Sequence, residues 1–421
     1  MRKIIDMLRP DDIDLSFGKD GRLGYPGYGV GLPASDGKYW LFREESAGNP
    51  PLVEIVRLLN DGSPDPAFPS GGTTVRFPNL MGANNLYKAV EQSNAKIVLC
   101  GTLYDPKIGT SFPYVMRINA EGDIDPSFAE GGIKPLYYDA SVQAENKSYR
   151  DVVIQPDGKI VVLATNSGLL PSNKTWSKVI RLTARGQMDA TFGRHGVFHD
   201  LPEEVLFLKI VSLKDNALLM GGMYARAETP YPVLVRLTAE GEIDRHFGDL
   251  GIKRLDYVNQ GVEGRADVNT IALFDDDDSM VVGGLFITGA EPTGGWIVAL
   301  HSDGTPDADF NGGKPLFVND PVVALATQGS QVILQGYRDN ASDASSMYLG
   351  RLDRDGSPDT EFGEDGIVIA PPHIATTRDI WRRHHIFVNG QDKKTLLVSS
   401  AVVVGDKQPK LVTQLVRFLL S

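Results

Sequence analysis

A short phrase, Asp-x-x-Phe, recurs at a nearly constant interval along this chain and constrains its fold more than any other feature. It occurs seven times, as Asp14 with Phe17, Asp65 with Phe68, Asp125 with Phe128, Asp189 with Phe192, Asp244 with Phe247, Asp307 with Phe310, and Asp359 with Phe362. In most copies a glycine precedes the Asp by three residues, and another follows the Phe by four. Self-similarity at an interval of about 57 residues indicates one structural unit used repeatedly.

Two further markers accompany the phrase. An arginine inside an apolar stretch precedes the Phe by eleven residues in most copies, and these positions are Arg57, Arg117, Arg181, Arg236 and Arg351. In the sixth copy Ala299 takes its place, and Arg417 stands in the same pattern near the end of the chain. A hairpin signal, clearest in Gln155-Pro-Asp-Gly-Lys159, recurs between the phrases.

These markers divide each interval into about four short strands, and helical periodicity is absent. The predicted fold class is therefore all-β, a seven-bladed β-propeller with four antiparallel strands per blade. We expect residues 1–421 to form a single domain. The predicted blades span 26–78, 86–138, 148–200, 205–257, 267–318, 322–370, and 384–420 together with 20–26.

The last of these blades combines the two ends of the chain. The chain begins with the tail of one unit, at Asp14, and ends with the head of another, at Arg417. A closing blade with an outer strand near residues 20–26 removes exposed sheet edges and predicts a contact between Arg417 and Asp14. Residues 1–10 contain a competing strand pattern at Ile4-Ile5-Asp6, which lacks the arginine.

The repeated Asp has a structural interpretation. In Asp125-Pro-Ser-Phe128 the Asp stands where a helix N-cap would and proline occupies the first helical position. We predict a single capped turn whose Phe packs between blades and whose Asp pairs with the strand arginine eight residues earlier. A calcium site is disfavoured because calcium requires several oxygen ligands from one dense loop.

The phrase Gly122-Asp-Ile-Asp-Pro-Ser-Phe128, with its upstream strand arginine and the hairpin signal between copies, resembles the bacterial delta-60 repeat family. The resemblance covers nearly the whole chain and implies a β-propeller in proteins largely of unknown function. It implies no catalytic residues. The copy at Phe310 departs from the pattern, with Ala299 in place of arginine and Asn311-Gly-Gly313 after the phrase.

Composition excludes several classes of function. A formal net charge of −12 disfavours binding to nucleic acid or an anionic membrane. Cys100 is the single cysteine and is expected to be a buried thiol.

We expect no cofactor, no metal and no catalytic residue, since no nucleophile elbow, phosphate loop or metalloprotease motif is present. Without a secretory segment a cytoplasmic location is the default expectation, and export by a signal-less route stays open.

The long connections between repeats define the expected binding face, because function tends to lie on variable loops held by a rigid scaffold. The main hypothesis is a non-catalytic scaffold, not an enzyme, that binds a protein partner there. The alternatives are a carbohydrate-binding, lectin-like propeller and, third, a hydrolase or lyase with its site at the channel mouth. The candidate binding residues are aromatic or basic: Trp176, Tyr231, Tyr257, Trp296, Tyr337, Trp381, Arg382 and Arg383.

Overall fold

The computed structural model describes residues 13–45, 52–69, 73–76, 85–105, 110–136, 147–167, 175–201, 205–224, 230–255, 264–289, 291–339, 345–369, 384–389, 394–403 and 410–420. Apart from a 3₁₀ turn at Asn311–Gly313, the regular secondary structure of these residues is β-strand. None of their helices is long and apolar enough to span a membrane. The chain divides into two compact units: an N-terminal unit of Gly27–Ala227 and Val235–Asp244, and a C-terminal unit of Met1–Pro26, Glu228–Leu234 and Arg245–Ser421.

The strands between residues 29 and 254 form antiparallel sheets in which spatial order follows chain order. The first sheet contains β2 (Gly29–Pro33), β3 (Tyr39–Glu45), β4 (Leu52–Leu58) and β5 (Thr73–Arg76). The second contains β6 (Asn85–Glu91), β7 (Ile97–Asp105), β8 (Thr110–Ile118) and β9 (Ile133–Pro135). The third contains β10 (Lys147–Ile154), β11 (Ile160–Ser167), β12 (Thr175–Leu182) and β13 (Val197–Phe198). The fourth contains β14 (Val205–Ser212), β15 (Leu218–Tyr224), β16 (Tyr231–Leu237) and β17 (Ile252–Arg254).

The remaining strands form three further sheets. One contains β18 (Arg265–Ala266), β19 (Thr270–Leu273), β20 (Met280–Thr288), β21 (Glu291–Leu300) and β22 (Leu316–Val318). The next contains β23 (Val322–Gln328), β24 (Gln331–Asp339), β25 (Ser345–Leu352) and β26 (Ile367–Ile369). The last combines β1 (Arg22–Pro26) with β27 (His384–Asn389), β28 (Lys394–Val403) and β29 (Lys410–Leu419).

The predicted fold class requires a correction. Six blades are each formed by consecutive strands of the chain, between β2 and β26. The blade of β18 to β22 has five strands rather than four. Its first strand is interrupted at residues 267–269, so that β18 and β19 each pair separately with β20. The expectation of a seven-bladed propeller with four strands in every blade is therefore wrong, and the fold is an all-β propeller of unequal blades. The outer strand expected near residues 20–26 is β1, which pairs with β29; residues 1–10 lie outside the described residues.

Neighbouring blades pack through their first strands. In the N-terminal unit β2 contacts β6, β6 contacts β10 and β10 contacts β14, and in the C-terminal unit β23 contacts both β19 and β27. Strand segments such as Ile160-Val-Val-Leu163 are buried along their whole length because both faces of the sheet are covered. Cys100 is also fully buried, between the second and third sheets, as its apolar neighbours predict.

The repeated phrase forms the predicted capped turn. The Ser127 main-chain N–H donates to Asp125 Oδ1 over 3.1 Å, and the Phe128 N–H donates to the Asp125 carbonyl over 3.1 Å. The predicted arginine pairing is confirmed in most copies, with N–O distances of 2.7 to 3.0 Å. The confirmed pairs are Arg117–Asp125, Arg181–Asp189, Arg236–Asp244, Arg351–Asp359 and Arg417–Asp14.

The first blade departs from this pairing, and the prediction for Arg57 and Asp65 is wrong. Arg57 bonds Asp36 of the hairpin turn at 2.5 Å, and its guanidinium lies 3.9 Å from the centre of the Trp40 ring. Asp65, which does not pair with Arg57, instead binds Lys38 at 2.6 Å. The indole face attracts the guanidinium away from the turn, and the lysine takes its place.

A second cation, which was not predicted from the sequence, binds the Asp of the turn in other copies. Lys96 lies 2.7 Å from Asp125, and Lys159 lies 3.3 Å from Asp189. Both lysines come directly after the turn residues of the hairpin signal. The repetition of lysine at this position could therefore have predicted the contact with the Asp. Where Ala299 replaces the strand arginine, Arg354 binds Asp307 at 2.5 Å.

The Phe of most turns packs against the next blade, as predicted. A Cβ on Gly186, whose φ is +81°, would lie 2.6 Å from the Phe128 ring. Next to it, the Ala129 N–H donates to the Arg185 carbonyl over 2.8 Å. Glycine is therefore required at this position by close contact as well as by backbone conformation.

We predict that Gly186→Ala lowers the free energy of unfolding by about 1–3 kcal/mol, since the methyl group has no room beside the ring. Gly158→Ala is the matched control, because its φ of +82° is the same within a degree but its Cβ would meet nothing closer than 3.7 Å. Chemical denaturation of both variants measures the difference. Equal losses would contradict a role for the Phe128 contact.

Candidate functional site

The first strands of three neighbouring blades share a break in register. The pairing shifts between Leu86 and Lys88 in β6, between Tyr149 and Asp151 in β10, and between Phe207 and Lys209 in β14. In each strand the residue after the shift is charged. Bulges of this kind are over-represented next to active sites, where they redirect a side chain.

The three charged side chains meet, and we call Lys88, Asp151 and Lys209 the first-strand cluster. Lys88 Nζ lies 2.5 Å from Asp151 Oδ1, and Lys209 Nζ lies 3.1 Å from Asp151 Oδ2. Each carboxylate oxygen also accepts a main-chain N–H, from Val152 over 2.9 Å and from Ile210 over 3.3 Å. The carboxylate is only 3% exposed, whereas the Lys88 and Lys209 side chains are 16% and 25% exposed.

The cluster shifts the acidity of its members. Burial alone would raise the pKa of Asp151, but Lys209 and Lys88 outweigh burial and lower this pKa to about 2. Burial lowers the pKa of Lys88, with repulsion from Lys209 in the same direction and attraction to Asp151 against it. The carboxylate is thus firmly ionised, and the Lys88 ammonium is a stronger acid than an ordinary lysine.

Other blades show that the fold does not need these charges. In the five-stranded sheet Thr270 holds the place of Asp151: the Leu325 N–H donates to its Oγ1 over 2.8 Å, as the Ile210 N–H donates to Asp151. In the next blade Ala324 follows the register shift. A buried ion cluster at a position where neutral residues suffice is typical of a functional site, because burying charge is costly.

A second unusual carboxyl group lies in the C-terminal unit, where the first strand of the five-stranded sheet is interrupted. Asp267 Oδ1 accepts the Leu285 N–H over 3.1 Å, and the Asp267 carbonyl accepts the Trp296 indole N–H over 3.1 Å. Burial raises the pKa of Asp267 to about 6, against the opposing effects of the Leu285 N–H and the Arg265 charge. No ion pair to Asp267 occurs among the described side chains.

This carboxyl group predicts a pH-dependent stability. Below pH 4 it is protonated in both states, and between about pH 4 and 6 the unfolded chain releases the proton first, so wild-type stability falls as pH rises. We predict that Asp267→Asn is more stable than wild type at pH 7 by about 1–3 kcal/mol, and that the gap closes near pH 4. Urea denaturation across this range tests it, with exposed Asp249→Asn as control. A gap that is constant with pH would contradict the assignment.

The predicted binding residues that the structure describes do not form one exposed surface. Trp296 and Tyr337 are buried core residues of β21 and β24, because these strands extend into the segments expected to be loops. Tyr231 is half-buried, with the Arg254 guanidinium 4.6 Å from its ring centre. The Trp176 side chain, Tyr257, Trp381, Arg382 and Arg383 lie outside the described residues. Within the described chain, no group of three or more His, Cys, Asp or Glu side chains could hold a metal ion.

The first-strand cluster was not predicted from the sequence, although a signal was present. Aligning the repeats on the hairpin marker places Lys88, Asp151 and Lys209 at corresponding points of their strands, four residues before the turn. A charge inside such a strand needs a partner. The partners lie in neighbouring blades, about one repeat away, so only the fold shows that the three side chains meet.

Comparison with known proteins places the repeats in a family. Residues 35–68, 92–128 and 155–192 match the model described as Domain of unknown function (DUF5122) beta-propeller. Each matched segment ends at the Phe of the repeated phrase, which confirms the resemblance to delta-60-type repeats. The chain carries the repeats of this β-propeller family, for which no function is defined. No curated protein matches the sequence.

Solved structures with a similar fold are distant in sequence. The polysaccharide lyase Uly1 matches with a TM-score of 0.51 and 9% identity, over 90% of this chain and 88% of its own. Semaphorin 2a from Drosophila matches with a TM-score of 0.51 and 10% identity, over 95% and 74%. An alpha-L-arabinanase from Penicillium chrysogenum gives 0.45 and 8%, over 97% and 94%. At these identities the likeness concerns the fold alone.

The comparisons correct two predictions. A non-catalytic scaffold for a protein partner was expected rather than an enzyme, and a hydrolase or lyase was only the third alternative because no local catalytic motif is present. A polysaccharide lyase has a fold like this one, so the preference for a non-catalytic scaffold was wrong. A propeller can assemble a site from strands of several blades, and a motif search along the chain does not detect such a site.

Proposed function

We propose that the protein is a carbohydrate-active enzyme that binds a polysaccharide at the first-strand cluster. The observation that carries the proposal is the cluster itself: three ionised side chains from three blades, at positions that other blades fill with Thr270 and Ala324. The fold shared with a polysaccharide lyase supports the carbohydrate assignment.

The cluster suits the cleavage of a glycosidic bond. Hydrolysis and elimination both end with a proton on the leaving glycosidic oxygen. Lys88 is the candidate donor, because burial lowers its pKa and makes its ammonium a better acid. Asp151 holds this ammonium in place through the contact to Oδ1, and the partly exposed Lys209 is available to a substrate oxygen.

The test is a panel of neutral and acidic polysaccharides incubated with the wild-type protein. New reducing ends report cleavage of either kind, and ultraviolet absorbance of an unsaturated sugar reports elimination. We expect at least one polysaccharide to be cleaved, and Lys88→Met to reduce the rate by about 10²-fold or more. Lys159→Met is the matched control, since Lys159 belongs to a structural turn with Asp189.

Two outcomes would overturn the proposal. One is the absence of cleavage across the panel by a folded wild-type protein. The other is a Lys88→Met variant that cleaves as fast as the Lys159→Met control. Lys88→Arg separates charge from acidity: it retains the contact to Asp151 but has a far weaker acid, so it should bind substrate and turn it over slowly.

A further inference from the structure

We infer that the first-strand cluster binds an anionic group of its glycan, a carboxylate or a sulfate, through the ammonium groups of Lys88 and Lys209. The inference rests on the proposed function for the glycan, but its charge requirement follows from the cluster alone. Asp151 supplies one negative charge to two positive ones. The cluster therefore carries a surplus positive charge within a chain whose formal net charge is −12.

The hydrogen-bond donors of the cluster are incompletely used. An ammonium group has three N–H donors. Lys88 and Lys209 each contact Asp151, and no other acceptor for either ammonium occurs among the described residues. Asp151 already accepts an N–H from Val152 and one from Ile210, which leaves its carboxylate well occupied. The N–H donors that remain available thus belong to the two lysines. Their number favours a ligand group with several oxygen acceptors.

The electrostatics agree with this geometry. Burial lowers the pKa of Lys88, and repulsion from Lys209 acts in the same direction. Attraction to Asp151 offsets only part of this lowering, so the cluster holds its surplus positive charge at a cost. An anionic oxygen that contacts both ammonium groups offsets that repulsion and brings the summed charge of the site to zero. A neutral sugar hydroxyl accepts the same hydrogen bonds but leaves the charge uncompensated, and bonds from an ammonium to an anion are roughly twice as strong.

Calorimetric titration tests the inference with three probes: an oligogalacturonate, the same oligomer with its carboxyl groups reduced, and a sulfated neutral oligosaccharide. We expect the carboxylated or the sulfated probe to bind at least about tenfold more tightly than the reduced one, with an affinity that falls as salt rises. The difference between the two charged probes identifies the preferred anion. Lys209→Met should remove this preference and Lys209→Arg should keep it, whereas Lys38→Met, in a structural turn, should leave it unchanged.

The readout is binding, so it separates this inference from the proposed enzymatic function. Preferential binding of a charged probe without cleavage of any polysaccharide supports the anion site and contradicts the enzyme. Equal binding of the reduced and charged probes, or binding of none, overturns the anion site. Cleavage of a neutral polysaccharide at a rate that Lys209→Met does not change also overturns it, and leaves the enzyme intact.

Discussion

Asp151→Asn is expected to lower the free energy of unfolding by about 3–5 kcal/mol, the range for breaking a buried ion pair by removing one partner. The amide keeps the size of the side chain but removes the negative charge. Lys88 and Lys209 then face each other across a neutral group in a site where the carboxylate is only 3% exposed. Repulsion and uncompensated burial destabilise the folded state.

Denaturant unfolding of wild type and variant measures this effect. Asp157→Asn is the control, because Asp157 also contacts a lysine, Lys159 at 3.1 Å, but both side chains are about one-third exposed. Exposed pairs contribute about 0–1 kcal/mol. A loss for Asp151→Asn no larger than that of the control would show that the cluster is not buried as described.

Arg417→Met is the second change with a large expected effect, again about 3–5 kcal/mol. Arg417 is 1% exposed and binds Asp14, 8% exposed, at 2.8 Å, so the pair fastens the last strand to the segment before β1. Its guanidinium also lies 4.7 Å from the centre of the Phe17 ring. Methionine fills the volume but removes the guanidinium charge from beside the buried Asp14 carboxylate.

The same substitution in another copy of the repeat provides the control. Arg236 and Asp244 form the equivalent pair at 3.0 Å, but with side chains 17% and 16% exposed. Water compensates part of the loss there, so Arg236→Met should destabilise the protein much less. Thermal or denaturant unfolding compares the two variants, and equal losses would contradict a special role for the pair that joins the chain ends.

The structural device of the repeat was predictable from sequence because its parts lie close together in the chain. The parts of the device stand at fixed spacings, and each has an elementary role. Asp125 caps the turn, Phe128 packs between blades, and Arg117 is the counter-charge of Asp125. Repetition supplies the remaining information. A pattern that recurs with its glycines in place points to one turn geometry, and the contact between Arg417 and Asp14 follows from the order of the units.

The candidate site was not predictable in the same way. Lys88, Asp151 and Lys209 come from different blades, and their meeting depends on the packing of first strands and on the register shifts beside them. Aromatic residues were a misleading guide, since Trp296 lies in the core and donates its indole N–H to Asp267. The failed expectation of a four-stranded blade has a similar origin, because the interruption at residues 267–269 carries no strong turn signal.

One triple variant tests most directly whether the first-strand cluster serves function rather than folding. Lys88→Met, Asp151→Leu and Lys209→Met together replace the ions by apolar groups of similar volume, a change that is often neutral or stabilising. Cleavage of the best polysaccharide of the panel is measured alongside unfolding. We predict wild-type or higher stability with cleavage reduced by about 10²-fold or more. A triple variant that is strongly destabilised, or that is stable and still cleaves at the wild-type rate, would contradict it.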